Sequence, residues 1–95
     1  GENISNVFTF KIVNKTVRDF KDVHFKLVSP KGKIIMVGKQ NFTIKKEGLA
    51  QGTLFIEINP AFLKDDKTKA IIEVYDGDLL IETTTTNFLG PRSFN

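Results

Sequence analysis

Few side chains in this sequence have the types and spacing that chemistry requires. Nucleophilic catalysis needs a base beside the nucleophile, and the chain holds a single histidine, His24, and no cysteine. His24 sits at an outward position of an alternating run, where a surface histidine is the simple reading. With Met36, the sole methionine, it offers a copper ion two ligands, but two ligands without a spacing motif do not define a site. The acids Asp65, Asp66, Asp76 and Asp78 fit no calcium-loop spacing, and Asp76 and Asp78 flank a glycine as turn residues do. No pair of catalytic groups emerges, so the reading is of a non-enzyme with no cofactor or metal of its own.

Binding chemistry is nearly as sparse. Lys11, Lys26, Lys45 and Lys46 are the material for a basic patch, yet the Phe residues alternate inward and leave no aromatic platform for bases. A solvated lysine face that discourages strand pairing fits better, so no nucleic-acid partner is expected. Asn-X-Ser/Thr triplets at Asn3, Asn14 and Asn41 would accept glycans in a secreted eukaryotic protein. The run Thr83 to Thr86 is β-branched and suits a sheet edge with its hydroxyls in water.

The elements that must position these groups read as strands. In NVFTFKIVN, Phe8, Phe10 and Ile12 alternate with Thr9, Lys11 and Val13, the period of a half-buried strand. Lys15 to Lys21 is turn-like; DVHFKLVS then places Val23, Phe25 and Leu27 opposite His24 and Lys26. Pro30-Lys31-Gly32 is a turn. A third strand, 33 to 37, leaves its inward face open between Ile34 with Met36 and Ile35 with Val37. Phe42 and Ile44 mark a short fourth strand. Glu47 to Gly52 reads as a loop and Thr53 to Ile58 as a fifth strand, with Leu54, Ile56 and Ile58 on one face. Phe55 points outward unless that strand slips by one residue, which would exchange the faces. Pro60 to Lys64 suits one helical turn. Lys69 to Tyr75 and Leu79 to Thr86 form a hairpin about Asp76-Gly77-Asp78. Seven short strands without a helix-period segment predict an all-β, immunoglobulin-like β-sandwich of antiparallel strands.

Length and composition agree. Ninety-five residues, 40% hydrophobic and 26% charged, supply one core. Residues 2–92 read as a single domain, with Gly1 as a cloning remnant of an excised piece and residues 93–95 as a flexible tail. No apolar run reaches the roughly 18 residues that span a bilayer. The net charge of +3 is uneven: residues 1–47 hold ten Lys or Arg against four acids, and residues 48–95 hold four against seven. A sandwich mixes its strands in space, so this asymmetry is expected to average out.

The segment NVFTFKIVNKT and the closing TTTTNFLGP, with FLGP at Phe88 to Pro91 the more specific, resemble the carboxy-terminal immunoglobulin-like domain of FixG-type (CcoG) cytochrome c oxidase accessory proteins. The strand order and KEGLAQGTLFIEI between them also look like that family. The resemblance implies a larger membrane protein with a polyferredoxin region, acting in cbb3-type oxidase assembly and copper handling. The iron–sulfur clusters belong to the absent part, because this chain carries none of the cluster-binding cysteines. The resemblance further implies a place on the periplasmic side of the bacterial inner membrane. The expected task is protein contact, with the rest of the parent or with oxidase subunits, by a domain that is monomeric in isolation. The residues to watch are Lys11, Lys26, Phe55, Tyr75, Phe88, Leu89, Pro91 and Arg92, although Phe88 and Leu89 suit sealing the bottom of the sandwich better than binding a partner. The competing readings are a secreted adhesion or carbohydrate-binding sandwich, and a copper carrier using His24 and Met36.

Overall fold

The computed structural model describes residues 3–63 and 65–90. Seven strands form two antiparallel sheets: β1 (Ile4–Val13), β2 (Phe20–Ser29), β3 (Gly32–Met36), β4 (Phe42–Ile44), β5 (Leu49–Ile58), β6 (Lys67–Asp76) and β7 (Leu79–Leu89). One sheet has the order β1-β5-β3 and the other β4-β2-β6-β7. Each connection up to β6 crosses from one sheet to the other, and only the β6–β7 hairpin stays within its sheet. The chain therefore interleaves its basic and acidic halves in both layers.

Alternation decides which side chains meet between the layers. Phe8, Phe10 and Ile12 of β1 face Val23, Phe25 and Leu27 of β2, as their spacing predicts. The open question in β3 resolves to Ile34 and Met36 inward, packed with Leu54, Ile56, Ile58, Ala70, Ile72 and Phe88. A second cluster gathers Ile12, Phe20, Val23, Ile44 and Val74. Phe10, Phe25 and Phe42 pack against both clusters and join them. The Phe10 ring meets Phe25 edge-on at 4.8 Å and stacks on Phe42 at 5.8 Å, geometries that favour the ring quadrupoles.

Several boundaries differ from the sequence reading. Glu47 to Gly52 is not wholly a loop, because β5 begins at Leu49. Gly52 is tolerated within that strand because it lies opposite Phe10, whose ring would stand 3.0 Å from a Cβ there; the ring occupies the space a side chain would need. Phe20, read as part of a turn, opens β2 and is buried. β7 runs on past Thr86 to Leu89. The turn at Pro60–Phe62 is a single 3-10 turn capped by Asn59, whose Oδ1 accepts from the Ala61 N–H. Gly77 has a φ of 59°, as primed hairpin turns require. The tail expected at residues 93–95 lies outside the described residues.

One buried polar side chain ties two loops and the end of β4 to this frame. Asn14 is 0% exposed. Its Nδ2 donates to the carbonyls of Arg18 (2.7 Å) and Ile44 (3.0 Å), and its Oδ1 accepts from the N–H (3.0 Å) and hydroxyl (2.6 Å) of Thr16. Its backbone N–H donates to Gly48 O at 2.8 Å. The amide thus makes all four bonds open to it. The Asn14-Lys15-Thr16 triplet is explained by this turn, and its amide is closed to glycans in the folded state. We predict that Asn14→Ala lowers the unfolding free energy by about 2 to 4 kcal/mol, since it strands buried carbonyls. Urea denaturation with an unchanged m-value checks this.

Candidate contact surface

The outward faces carry whatever the domain presents to a partner. On the three-stranded sheet, Val7 pairs with Phe55 and Phe55 with Ile35, so three apolar side chains line up across all three strands. Val7 is 59% exposed and Phe55 37%, and Ile35 is half-buried. A polar row borders the strip on one side, Ser5, Glu57 and Lys33, with Lys33 Nζ 3.6 Å from Glu57 Oε1. Thr9 with Thr53, then Lys11 with Gln51, border the other. An apolar strip inside a polar rim is the anatomy of a protein contact.

The outward face of the four-stranded sheet is different. His24 and Tyr75 are cross-strand partners whose rings stack at 5.7 Å. Tyr75 Oη donates to Glu73 Oε1 at 2.6 Å, and Lys26 pairs with Glu73 across the strands. The hydrogen bond to Glu73 raises the Tyr75 pKa above its ordinary value, with desolvation and the carboxylate charge adding to it. Around His24 and Tyr75 this face is a polar cluster whose groups bond one another, while Val28 and Ile71 are exposed further along it.

The residues singled out in the sequence therefore divide. Lys11 and Phe55 share one outer face and Lys26 and Tyr75 the other, so they form no common patch, and neither do Lys11, Lys26, Lys45 and Lys46. Phe88 is withdrawn as a contact residue: it is 0% exposed and fills the core between Ala70, Ile72 and Leu54's cluster. Leu89 is exposed, with its backbone held by Asn6. Pro91 and Arg92 lie outside the described residues. The copper pair separates too, because Met36 is buried in the core while His24 lies on the opposite, outer side of β2. No group of three or more metal-ligand side chains gathers among the described residues. Of the acids singled out, Asp76 at the end of β6 bonds the backbone, its Oδ1 accepting from the Asp22 N–H (3.0 Å), and in the β1–β2 loop Asp19 Oδ1 likewise accepts from the Lys46 N–H (2.9 Å). Val7 and Ile35 were missed in the sequence; only the cross-strand register reveals that they flank Phe55.

A family model described as "IG-like fold at C-terminal of FixG" matches residues 1–91. The chain belongs to the FixG carboxy-terminal domain family. A crystal structure of a FixG-related protein from Vibrio parahaemolyticus superposes with a TM-score of 0.68 at 19% identity, covering 92% of this chain and 79% of that one. At that identity the likeness speaks for the fold alone. No curated protein matches. This FixG-type domain thus has the immunoglobulin-like fold found at the carboxy terminus of FixG, and no described helix is long and apolar enough to cross a membrane.

Tyr75 is the sole tyrosine of a tryptophan-free chain, so phenolate absorbance follows it alone. Its raised pKa means that its contact with Glu73 stabilises the fold below the unfolded value of 10.0 and is lost as pH rises through the folded value. The expected result is a titration midpoint above 10.0 that moves back toward it in Glu73→Gln.

Proposed function

We propose that this domain is a non-catalytic contact module of a membrane-bound, polyferredoxin-type accessory protein for cbb3-type cytochrome c oxidase assembly and copper handling. It works on the periplasmic side of the inner membrane. The family match supports the parentage; the strip Val7, Phe55 and Ile35 supports the task. Cross-strand pairs of this kind steady the sheet, and the three side chains also leave apolar surface open to a partner. Covering them removes apolar surface from water at about 25 cal/mol per Å². The strip faces the rest of the parent protein, steadying it, or an oxidase subunit that the parent must hold.

Crosslinking mass spectrometry on membranes carrying the full-length parent tests this. Lys11 and Lys33 border the strip, and both are expected to link to other proteins or to distant parts of the parent. Links to oxidase or copper-handling subunits identify a docking module, and links within the parent a structural cap. Phe55→Lys is expected to cut those links several-fold without unfolding the domain, since Phe55 lies outside the core. Unchanged links, or a gene that does not run upstream into cysteine-rich and hydrophobic sequence, would overturn the reading in favour of a secreted adhesion or carbohydrate-binding sandwich.

A further inference from the structure

The long outer edge of β7 has no strand paired to it among the described residues. β7 borders the four-stranded sheet and runs for eleven residues. Edges of this length are normally blunted by lysine, proline or bulges. The segment LLIETTTTNFL has none of the first two, and its one register shift, opposite Val74 and Tyr75, lies before Thr83. From Thr83 to Leu89 the edge is regular.

Which backbone groups face outward follows from the ladder. In an antiparallel pair, alternate residues exchange both bonds with the partner strand and the others point away. Gly90 N–H donates to Asp66 O at 2.9 Å, so the even positions 84, 86 and 88 face β6 and the odd ones face outward. Leu89 confirms the parity: its N–H donates to Asn6 Oδ1 (2.8 Å) and its carbonyl accepts from Asn6 Nδ2 (3.0 Å). The Asn6 side chain engages the edge as the peptide group of a neighbouring strand would. Above it, the N–H and C=O groups of Thr83, Thr85 and Asn87 have no hydrogen-bond partner among the described residues.

Charge indicates the occupant. From Thr83 to Asn87 the outward side chains of β7 are short and neutral; beside them on β6 Glu73 stands opposite Thr83, already bonded to Tyr75, and Lys69 and Lys67 stand at the other end opposite Asn87 and Leu89. Neither lysine has an ion pair among the described residues. A strand added to β7 lies two spacings from β6, about 10 Å, within reach of lysine side chains crossing over Asn87. We infer that the β7 edge takes up an extended peptide segment with acidic side chains at the positions flanking Asn87, by strand addition.

The test uses the whole chain with a strand of about six residues appended after Asn95 through a flexible Gly/Ser linker, which raises the local strand concentration to the millimolar range. One version alternates threonine with glutamate, the other threonine with lysine. Amide exchange of Thr83, Thr85 and Asn87 is expected to slow on the order of tenfold or more in the glutamate version only, with Thr84, Thr86 and Phe88 unchanged. Thr85→Pro removes one outward N–H without touching the β6 ladder, so it leaves the fold intact and abolishes that protection. Three results would overturn the inference: no added protection, equal protection by the lysine version, or protection in the unfused chain that grows with protein concentration. The last would make a second copy the occupant.

Discussion

Three phenylalanine rings join the two clusters of the core into one layer between the sheets. Phe10 reaches across from the three-stranded layer into the angle between Phe25 and Phe42 of the four-stranded one, and among the described residues these three rings pack against both halves of the core. In a domain of this size the interior is a single thickness of side chains, so large rings placed by strict alternation do the work that a disulfide performs in many immunoglobulin-like domains. Gly52 belongs to the same arrangement, because its missing side chain is what lets the Phe10 ring lie against β5. The absence of cysteine in the sequence and the abundance of phenylalanine are thus two aspects of one solution.

Once that layer is fixed, the rest of the molecule follows by parity. Each strand has one face committed to the interior, and whatever occupies the other face is free to vary. On the four-stranded sheet part of the outer face satisfies itself, with His24 against Tyr75 and Tyr75 against Glu73, while Val28 and Ile71 stay exposed. On the three-stranded sheet the strip through Phe55 is apolar across all three strands, and that continuity marks it as the candidate contact surface. Asn14 supplies the remaining constraint, fixing the loops at one end so that the strand registers cannot drift.

Much of this was legible in the sequence because a period of two is a strong signal where Phe, Ile and Val alternate with Lys and Thr. β1, β2 and β4 announce themselves in that way. The signal fails in β3, where Ile34, Ile35, Met36 and Val37 are all apolar and only the facing strand decides. It fails at Leu49 to Gly52, where glycine and glutamine imitate a loop and the compensating ring lies about forty positions earlier. The contact strip was half legible: Phe55 stood out, but its neighbours Val7 and Ile35 are distant in sequence and adjacent only through register. Asn14 left a trace in its Thr at the second position, which marks an Asx turn as readily as a glycan acceptor.

The most direct check on the central claim is hydroxyl-radical footprinting of Phe55 and Tyr75, comparing the free domain with the full-length parent in native membranes. Phe55 lies on the proposed contact face and Tyr75 on the opposite outer face, so each serves as the control for the other. The account predicts that oxidation of Phe55 falls several-fold in the parent while that of Tyr75 stays as it is in the free domain. Equal oxidation of Phe55 in both preparations would contradict it.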